Sequence, residues 1–176
     1  MPKIDEQRPF KPVNIAVMTV SDSRAEENDT SGKALAALIA RDGHHLAARI
    51  IVKDEQLEIV ARLKAWIADP TIDVVISTGG TGVTGRDVTP EAFQAVFEKE
   101  IPGFGEMLRA ISLKTVGLSA IQSRATAGVA GATLIFAIPG STGACRDAWD
   151  EILVHQLDSR YRPCNLVEML PRLGER

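Results

Sequence analysis

Val13-Asn14-Ile15-Ala16-Val17-Met18-Thr19-Val20 is a nearly continuous apolar run of strand length. A strand with one face in water alternates polar and apolar side chains, so this run predicts a strand covered on both faces, as in a parallel sheet flanked by helices. A polar loop over residues 21–29 follows. Thr30-Ser31 is placed to cap a helix whose Leu35, Leu38 and Ile39 form one apolar stripe and whose stop is Asp42-Gly43. The same unit then recurs: a strand ending in Ile50-Ile51-Val52, and a helix striped by Ile59, Leu63 and Ile67 that stops at Asp69-Pro70. A third strand, Val74-Val75-Ile76-Ser77, runs into a glycine loop. Beyond it, Thr89-Pro90 supplies a cap and a first-turn proline to a helix carrying Phe93, Val96 and Phe97, ended by Ile101-Pro102-Gly103. Phe104, Met107, Leu108 and Ile111 fall at i, i+3, i+4 and i+7 and predict another helix, and residues 134–138 predict another strand. A last long helix over residues 143–157 buries Cys145, Trp149, Ile152 and Leu153. Residues 120–131 match neither period, and the stretch after Pro163 reads as a surface wrap.

The chain has 176 residues, 45% apolar and 24% charged, which suits one domain with a full core. That domain is expected to span residues 13–176. Residues 1–12 are polar and without a period, and are expected to form a tail that is disordered or docked on a partner subunit. A formal net charge of −3 argues against nucleic acid as a partner. No run reaches the ~18 apolar residues of a membrane span, and residues 1–9 lack the apolar core of a signal peptide, so no membrane partner is expected. Cys145 and Cys164 have neither CxxC spacing nor a second pair, which points to a reducing, cytoplasmic setting. His44 and His45 open a strand, so their side chains leave on opposite faces and do not chelate one ion together.

Strands alternating with helices gather the loops at the strand C-termini along one edge of a mostly parallel sheet, where ligands bind. Topology thus brings together Ser21-Asp22-Ser23-Arg24, Lys53-Asp54-Glu55, Thr78-Gly79-Gly80-Thr81-Gly82 and Pro139-Gly140-Ser141-Thr142. Three glycines in four positions let the 78–82 backbone bend and aim several N–H groups at one point, a concave site for phosphate or carboxylate. A tight strand-to-helix turn is the plainer use of such glycines, although it would not call for Thr78, Thr81 and Thr84 around them. The loop lacks the Gly-Lys of a P-loop. Gly80-Thr81-Gly82-Val83-Thr84-Gly85 satisfies the dinucleotide pattern G-x-G-x-x-G, but its helix opens only near Thr89 and the acid about 20 residues on, Glu106, falls in a helix. Asp54 and Asp87 each follow a cation, Lys53 and Arg86, on the expected ligand edge, which suits a Mg²⁺–phosphate site. Ser21, Ser123 and Ser141 have no His or Asp arrangement that sequence links into a nucleophilic triad.

Thr78-Gly79-Gly80-Thr81-Gly82 followed by Arg86-Asp87-Val88-Thr89-Pro90-Glu91 resembles the signature of the MoaB/MogA proteins of molybdenum cofactor biosynthesis. The likeness extends over Val20-Ser21-Asp22-Ser23-Arg24, Asp29-Thr30-Ser31-Gly32, Gln122-Ser123-Arg124-Ala125 and Ile138-Pro139-Gly140-Ser141. Ser141-Thr142-Gly143-Ala144-Cys145-Arg146 and Arg162-Pro163-Cys164-Asn165 are similar to the MoaB branch. The resemblance implies a three-layer α/β/α sandwich that binds molybdopterin and, in active members, transfers AMP from Mg-ATP to its terminal phosphate. It assigns the phosphate to Gly79, Gly80, Thr81 and Gly82 beside Thr78, the paired acids and Mg²⁺ to Asp54 and Asp87, and the lining to Ser21, Ser123, Pro139, Gly140 and Ser141. A phosphate monoester is already an anionic nucleophile, so such a step needs charge neutralisation and alignment more than a catalytic His or Cys. The family also implies a trimer, or a hexamer made of two trimers. Adenylyltransferase members commonly carry Pro-Gly-x-Pro where this chain has Pro139-Gly140-Ser141-Thr142, which keeps a non-catalytic molybdopterin-binding module as the alternative.

Overall fold

Of residues 13–20, Asn14 alone is even partly exposed, as expected of a strand covered on both sides. The computed structural model describes residues 3–175; the first two residues of the expected tail, and residue 176, lie outside it. The run forms β2 (Asn14–Val20), following a short β1 (Lys3–Ile4). The central sheet has six strands in the order β3 (His45–Val52), β2, β4 (Val74–Thr78), β7 (Thr133–Ile138), β6 (Thr126–Ala130), β5 (Lys99–Glu100). The first four are mutually parallel, whereas β6 and β5 run antiparallel. Register aligns the parallel C-terminal ends: Val20 lies opposite Val52, and Thr78 lies opposite both Thr19 and Ile138.

Alternation along each strand splits the core in two. Ile15, Val17, Val74, Ile76, Leu134 and Phe136 face one layer with α1 (Thr30–Arg41), α4 (Pro102–Val116) and the C-terminal helical run. Ala16, Met18, Val75, Ile135 and Ala137 face the other with α2 (Gln56–Ile67) and α3 (Thr89–Gln94). This is the three-layer α/β/α sandwich, with a core on each side of the sheet.

Several local expectations change. The cap of α1 is Asp29, one residue before Thr30-Ser31: its Oδ1 accepts from Gly32 N–H at 2.9 Å, and its Oδ2 from Thr19 Oγ1 at 2.9 Å and Arg49 Nη1 at 2.7 Å. Burial without exposure is tolerable for this carboxylate because three donors on β2, β3 and α1 surround it. Thr89 is likewise the first residue of α3 and no cap, because its buried hydroxyl donates to the Gly79 carbonyl. Met107 is half exposed, so the buried face of α4 narrows to Phe104, Gly105, Leu108 and Ser112. Residues 120–131 resolve into the end of a 3-10 turn (Gly117–Gln122) and β6. The last helix is α5 (Thr142–Ala148), a π turn (Trp149–Leu153) and α6 (Val154–Gln156), with Trp149 Nε1 donating to Asp42 Oδ2 at 2.7 Å.

The N-terminal segment is docked on this chain's own C-terminal stretch. β1 pairs antiparallel with β8 (Tyr161–Arg162), Arg8 pairs with Glu168, and Phe10 lies between His44, at 5.1 Å, and the Arg160 guanidinium, at 5.2 Å. Among the described residues, no helix is long and apolar enough to cross a membrane. Asp29→Ala is expected to cost roughly 3 kcal/mol in urea unfolding, since it removes a helix cap and strips a buried ion pair. Asp150→Ala, which removes an exposed partner of Arg41, should cost under about 1 kcal/mol.

Candidate functional site

β4 delivers the chain into a turn that only glycine permits. Gly79 and Gly80 have φ of +107° and +63°, and a Cβ on Gly79 would lie 2.2 Å from the Val20 carbonyl oxygen. A Cβ on Gly140 would lie 3.0 Å from Gly79 Cα, so the ends of β2, β4 and β7 meet backbone to backbone. Gly79 N–H donates to the Ile138 carbonyl, and Thr89 N–H donates to the Gly80 carbonyl. The Thr81 carbonyl accepts from Arg124 N–H, while the Gly80 and Thr81 N–H groups find no acceptor among the described residues.

This turn forms one wall of a cleft of about 530 Å³. Of the expected residues, Gly80, Thr81, Gly82, Asp87, Ser123, Pro139, Gly140 and Ser141 line it. The opposite wall comes from the end of α4 and the 3-10 turn, through Ser112, Thr115, Val116, Ser119 and Gln122, and from Gly143, Ala144 and Asp147 at the start of α5. Sequence reasoning missed that wall. Its signal was the hydroxyl spacing of Ser112, Thr115 and Ser119 at i, i+3 and i+7, on a helix read only for its apolar stripe and in the turn that follows it. Among the described residues, no lysine or arginine lines the cleft.

The remaining expected residues lie elsewhere around the loop. Thr78 is fully buried and donates to the Pro139 carbonyl at 3.1 Å, and Gly79 serves the backbone crossing, so both shape the loop and neither lines the cleft. Ser21 also stays outside the cleft; its Oγ accepts from Ser23 and Arg24 N–H in a local turn. Ser141 caps α5 by accepting from Ala144 N–H at 3.1 Å. Asp54 borders Gly80 outside the cleft: a Cβ on Gly80 would come within 3.0 Å of its Oδ1. Burial pushes the Asp54 carboxyl above the usual carboxylate range, with the charge of Asp87 adding to the effect and a hydrogen bond shared with Asp22 working against it. Ionised Asp54 therefore costs folding stability as pH rises past the unfolded carboxylate range, the pattern of a group retained for its charge. Asp87 is moved the opposite way, downward, chiefly by Thr84, whose hydroxyl and N–H donate to Oδ2 at 2.6 and 2.8 Å. Arg86 does not face the cleft; it grips Asp22 with two nitrogens and reaches Glu55 with a third, strapping three loops together. Cys145 is buried beside Thr78 and its thiol is pushed up to about 11 by burial, which makes it core and not a nucleophile.

The fit to a divalent cation follows from this donor set. Among the described residues no group of three His, Cys, Asp or Glu side chains converges. An ion here would be held by Asp54 and Asp87 with substrate oxygens and water completing its shell, which is the way Mg²⁺ binds in phosphoryl-transfer sites. The half-buried Asp54 and its acidic neighbours would be relieved by the added positive charge.

Fold and site together define an α/β/α domain with a cleft of backbone and hydroxyl groups at the C-terminal edge of its parallel strands, the edge at which ligands bind in such sheets. Residues 16–159 match the family model described as a probable molybdopterin binding domain. Molybdenum cofactor biosynthesis protein B of Escherichia coli K12 is 51% identical over 156 residues, covering 89% of this chain and 92% of that protein. A crystal structure of a molybdenum cofactor biosynthesis protein B superposes with a TM-score of 0.86 at 38% identity, covering 96% of this chain and all of that one. The tungsten cofactor synthesizing protein MoaB from Pyrococcus furiosus gives a TM-score of 0.77 at 32% identity, covering 94% of this chain and 99% of that one. The chain belongs to the MoaB/MogA family of molybdenum cofactor biosynthesis proteins, on its MoaB branch.

The loop geometry carries a direct test. Gly80→Ala combines a left-handed φ with a Cβ 2.4 Å from Thr89 Oγ1, and should lower stability by at least about 1–2 kcal/mol. Gly85→Ala, with nothing within 4 Å of its Cβ, should stay within about 0.5 kcal/mol of wild type in the same denaturant titration.

Proposed function

We propose that the cleft binds molybdopterin and that the protein transfers AMP from Mg-ATP to the terminal phosphate of that pterin. The observation that carries the reading is the turn at residues 80–82, where the Gly80 and Thr81 N–H groups have no acceptor among the described residues and the turn lines a cleft with no lysine or arginine among its described lining. A phosphate bound there is held by amide dipoles, which neutralise charge without masking the oxygen that must react. That oxygen attacks the α-phosphorus of ATP; the new P–O bond forms as the bond to the bridging oxygen breaks, and pyrophosphate leaves. No proton need be removed from the nucleophile, which agrees with a site that offers no histidine and a cysteine buried in the core. Asp54 and Asp87 would hold Mg²⁺, which when bound neutralises the phosphates of the nucleotide. Arg86 keeps the Asp22, Glu55 and Asp87 loops in register and so orients both acids.

A second reading, molybdopterin binding without turnover, is favoured by two features: Asp87 Oδ2 is already engaged twice by Thr84, and Ser141-Thr142 stands where adenylyltransferase members commonly continue to proline. Incubation with molybdopterin, Mg²⁺ and ATP separates the two. The expected result is adenylated pterin with pyrophosphate, and for Asp87→Asn a fall in turnover on the order of 100-fold at unchanged pterin affinity. Pterin bound tightly with no product selects the binding module.

Self-association as a trimer or hexamer, and a cytoplasmic location, belong to the same reading. Support for assembly comes from apolar side chains left in water along α4 and the turn after it, with Leu118 and Ile121 exposed by 85% and 84%. Light scattering is expected to give a multiple of the 19.0 kDa chain mass, and a monomer in dilute solution contradicts it.

A further inference from the structure

Two charged side chains line the cleft, Asp87 and Asp147, and they are held differently. Asp87 sits at the glycine loop with Oδ2 bonded to Thr84. Asp147 projects from α5 on the far wall; its Oδ2 accepts from Thr115 Oγ1 at 3.1 Å, and no cation among the described residues pairs with it. Its Oδ1 makes no hydrogen bond to any described residue. An acceptor-only group with a spare oxygen, steadied by one hydroxyl, faces a cleft whose other lining is small, hydroxylic or apolar.

We propose that Asp147 reads the ring end of the ligand by accepting a pair of parallel N–H donors, as presented by the 2-amino group and adjacent ring N–H of a 2-amino-4-oxopyrimidine edge. The assignment rests on the molybdopterin reading above and deepens it, because such an edge is the part of a pterin that other pteridines lack. Position along the helix supports it. Ser141, at the N-cap of α5, touches the same cleft as the glycine loop, and Asp147 lies six residues further on, about 9 Å along the axis at about 1.5 Å per residue. A phosphate anchored at residues 80–82 therefore leaves room for a fused bicyclic ring to reach Asp147. Each end carries one carboxylate, but Asp87 already takes two donors from Thr84 beside the unpaired Gly80 and Thr81 N–H groups, whereas Asp147 takes one, from Thr115. Thr115, on the last turn of α4, shares its hydroxyl between the Asp147 carboxylate and the Ser112 carbonyl and so ties the carboxylate to that helix.

Guanine carries the same donor edge, so the experiment compares three compounds on the intact protein by calorimetry: 6-hydroxymethylpterin, 6-hydroxymethyllumazine, which has a carbonyl in place of the amino group, and GMP. Wild type is expected to bind the pterin at least about tenfold more tightly than the lumazine, the range for a hydrogen bond to a charged group. Asp147→Asn should erase that preference while leaving the affinity for inorganic pyrophosphate unchanged, and Thr115→Val should reduce the preference in part. Asp147 is partly exposed and bonded only to Thr115, so these variants are expected to melt with wild type. A preference that survives in Asp147→Asn overturns this assignment and leaves the molybdopterin reading intact. GMP bound more tightly than the pterin overturns the pterin half of the assignment. Wild-type protein that binds no pteridine overturns both the assignment and the reading beneath it.

Discussion

The Val20 carbonyl oxygen occupies the space that a Cβ on residue 79 would need, and the Gly140 backbone closes on Gly79 from the other side. Three strand ends can approach this closely only if the middle one carries no side chain and can take a left-handed φ. Everything at the site follows from that crossing. It brings the loop after β7 against the loop after β4, starts α5 at the rim of the cleft, and leaves the Gly80 and Thr81 N–H groups without acceptors. Thr78 and Thr89 secure it from beneath, one through the Pro139 carbonyl and the other through the Gly79 carbonyl.

Charge around the loop is arranged so that cations hold loops and do not hold ligand. Arg86 is spent on Asp22 and Glu55, Arg124 on Glu91 and on carbonyls of the glycine loop, and Arg49 on Asp29 and Glu26. The cleft is left with backbone dipoles, hydroxyls and two carboxylates. Asp54 and Asp87, neighbours across the loop, are driven apart in acidity by burial on one side and donated hydrogen bonds on the other.

The sheet that supports this edge is insulated on both faces, and its ends are closed by side-chain contacts far apart in sequence. Asp29 joins β2, β3 and α1; Trp149 joins the C-terminal helix to the end of α1; the N-terminal segment lies along β8 and the final 3-10 turn (Val167–Arg172). These ties stiffen the scaffold from which the four loops project.

The layered fold was legible from residues 13–20 and from the strand and helix periods, because burial on two faces or on one stripe writes itself into local composition. The glycine turn was legible for the same kind of reason, since a backbone that must turn left-handed has to be glycine at that position. Local chemistry misled where a competing partner lay far off in the chain: Thr30 and Thr89 looked like caps, but Asp29 has Thr19 and Arg49 to compensate its burial, and the Thr89 hydroxyl has the Gly79 carbonyl. The tail was unreadable because its partners, Tyr161, Glu168 and Arg160, stand more than a hundred residues away. The far wall of the cleft was unreadable as well. Sequence by itself determined the strand order's raw material, the glycine loop and the acids beside it. Only the tertiary structure decided that Asp87 and Asp147 share one cleft while Ser21 and Asp54 stand outside it, because a side chain's role at a site depends on which distant backbone packs against it and which way that packing turns it.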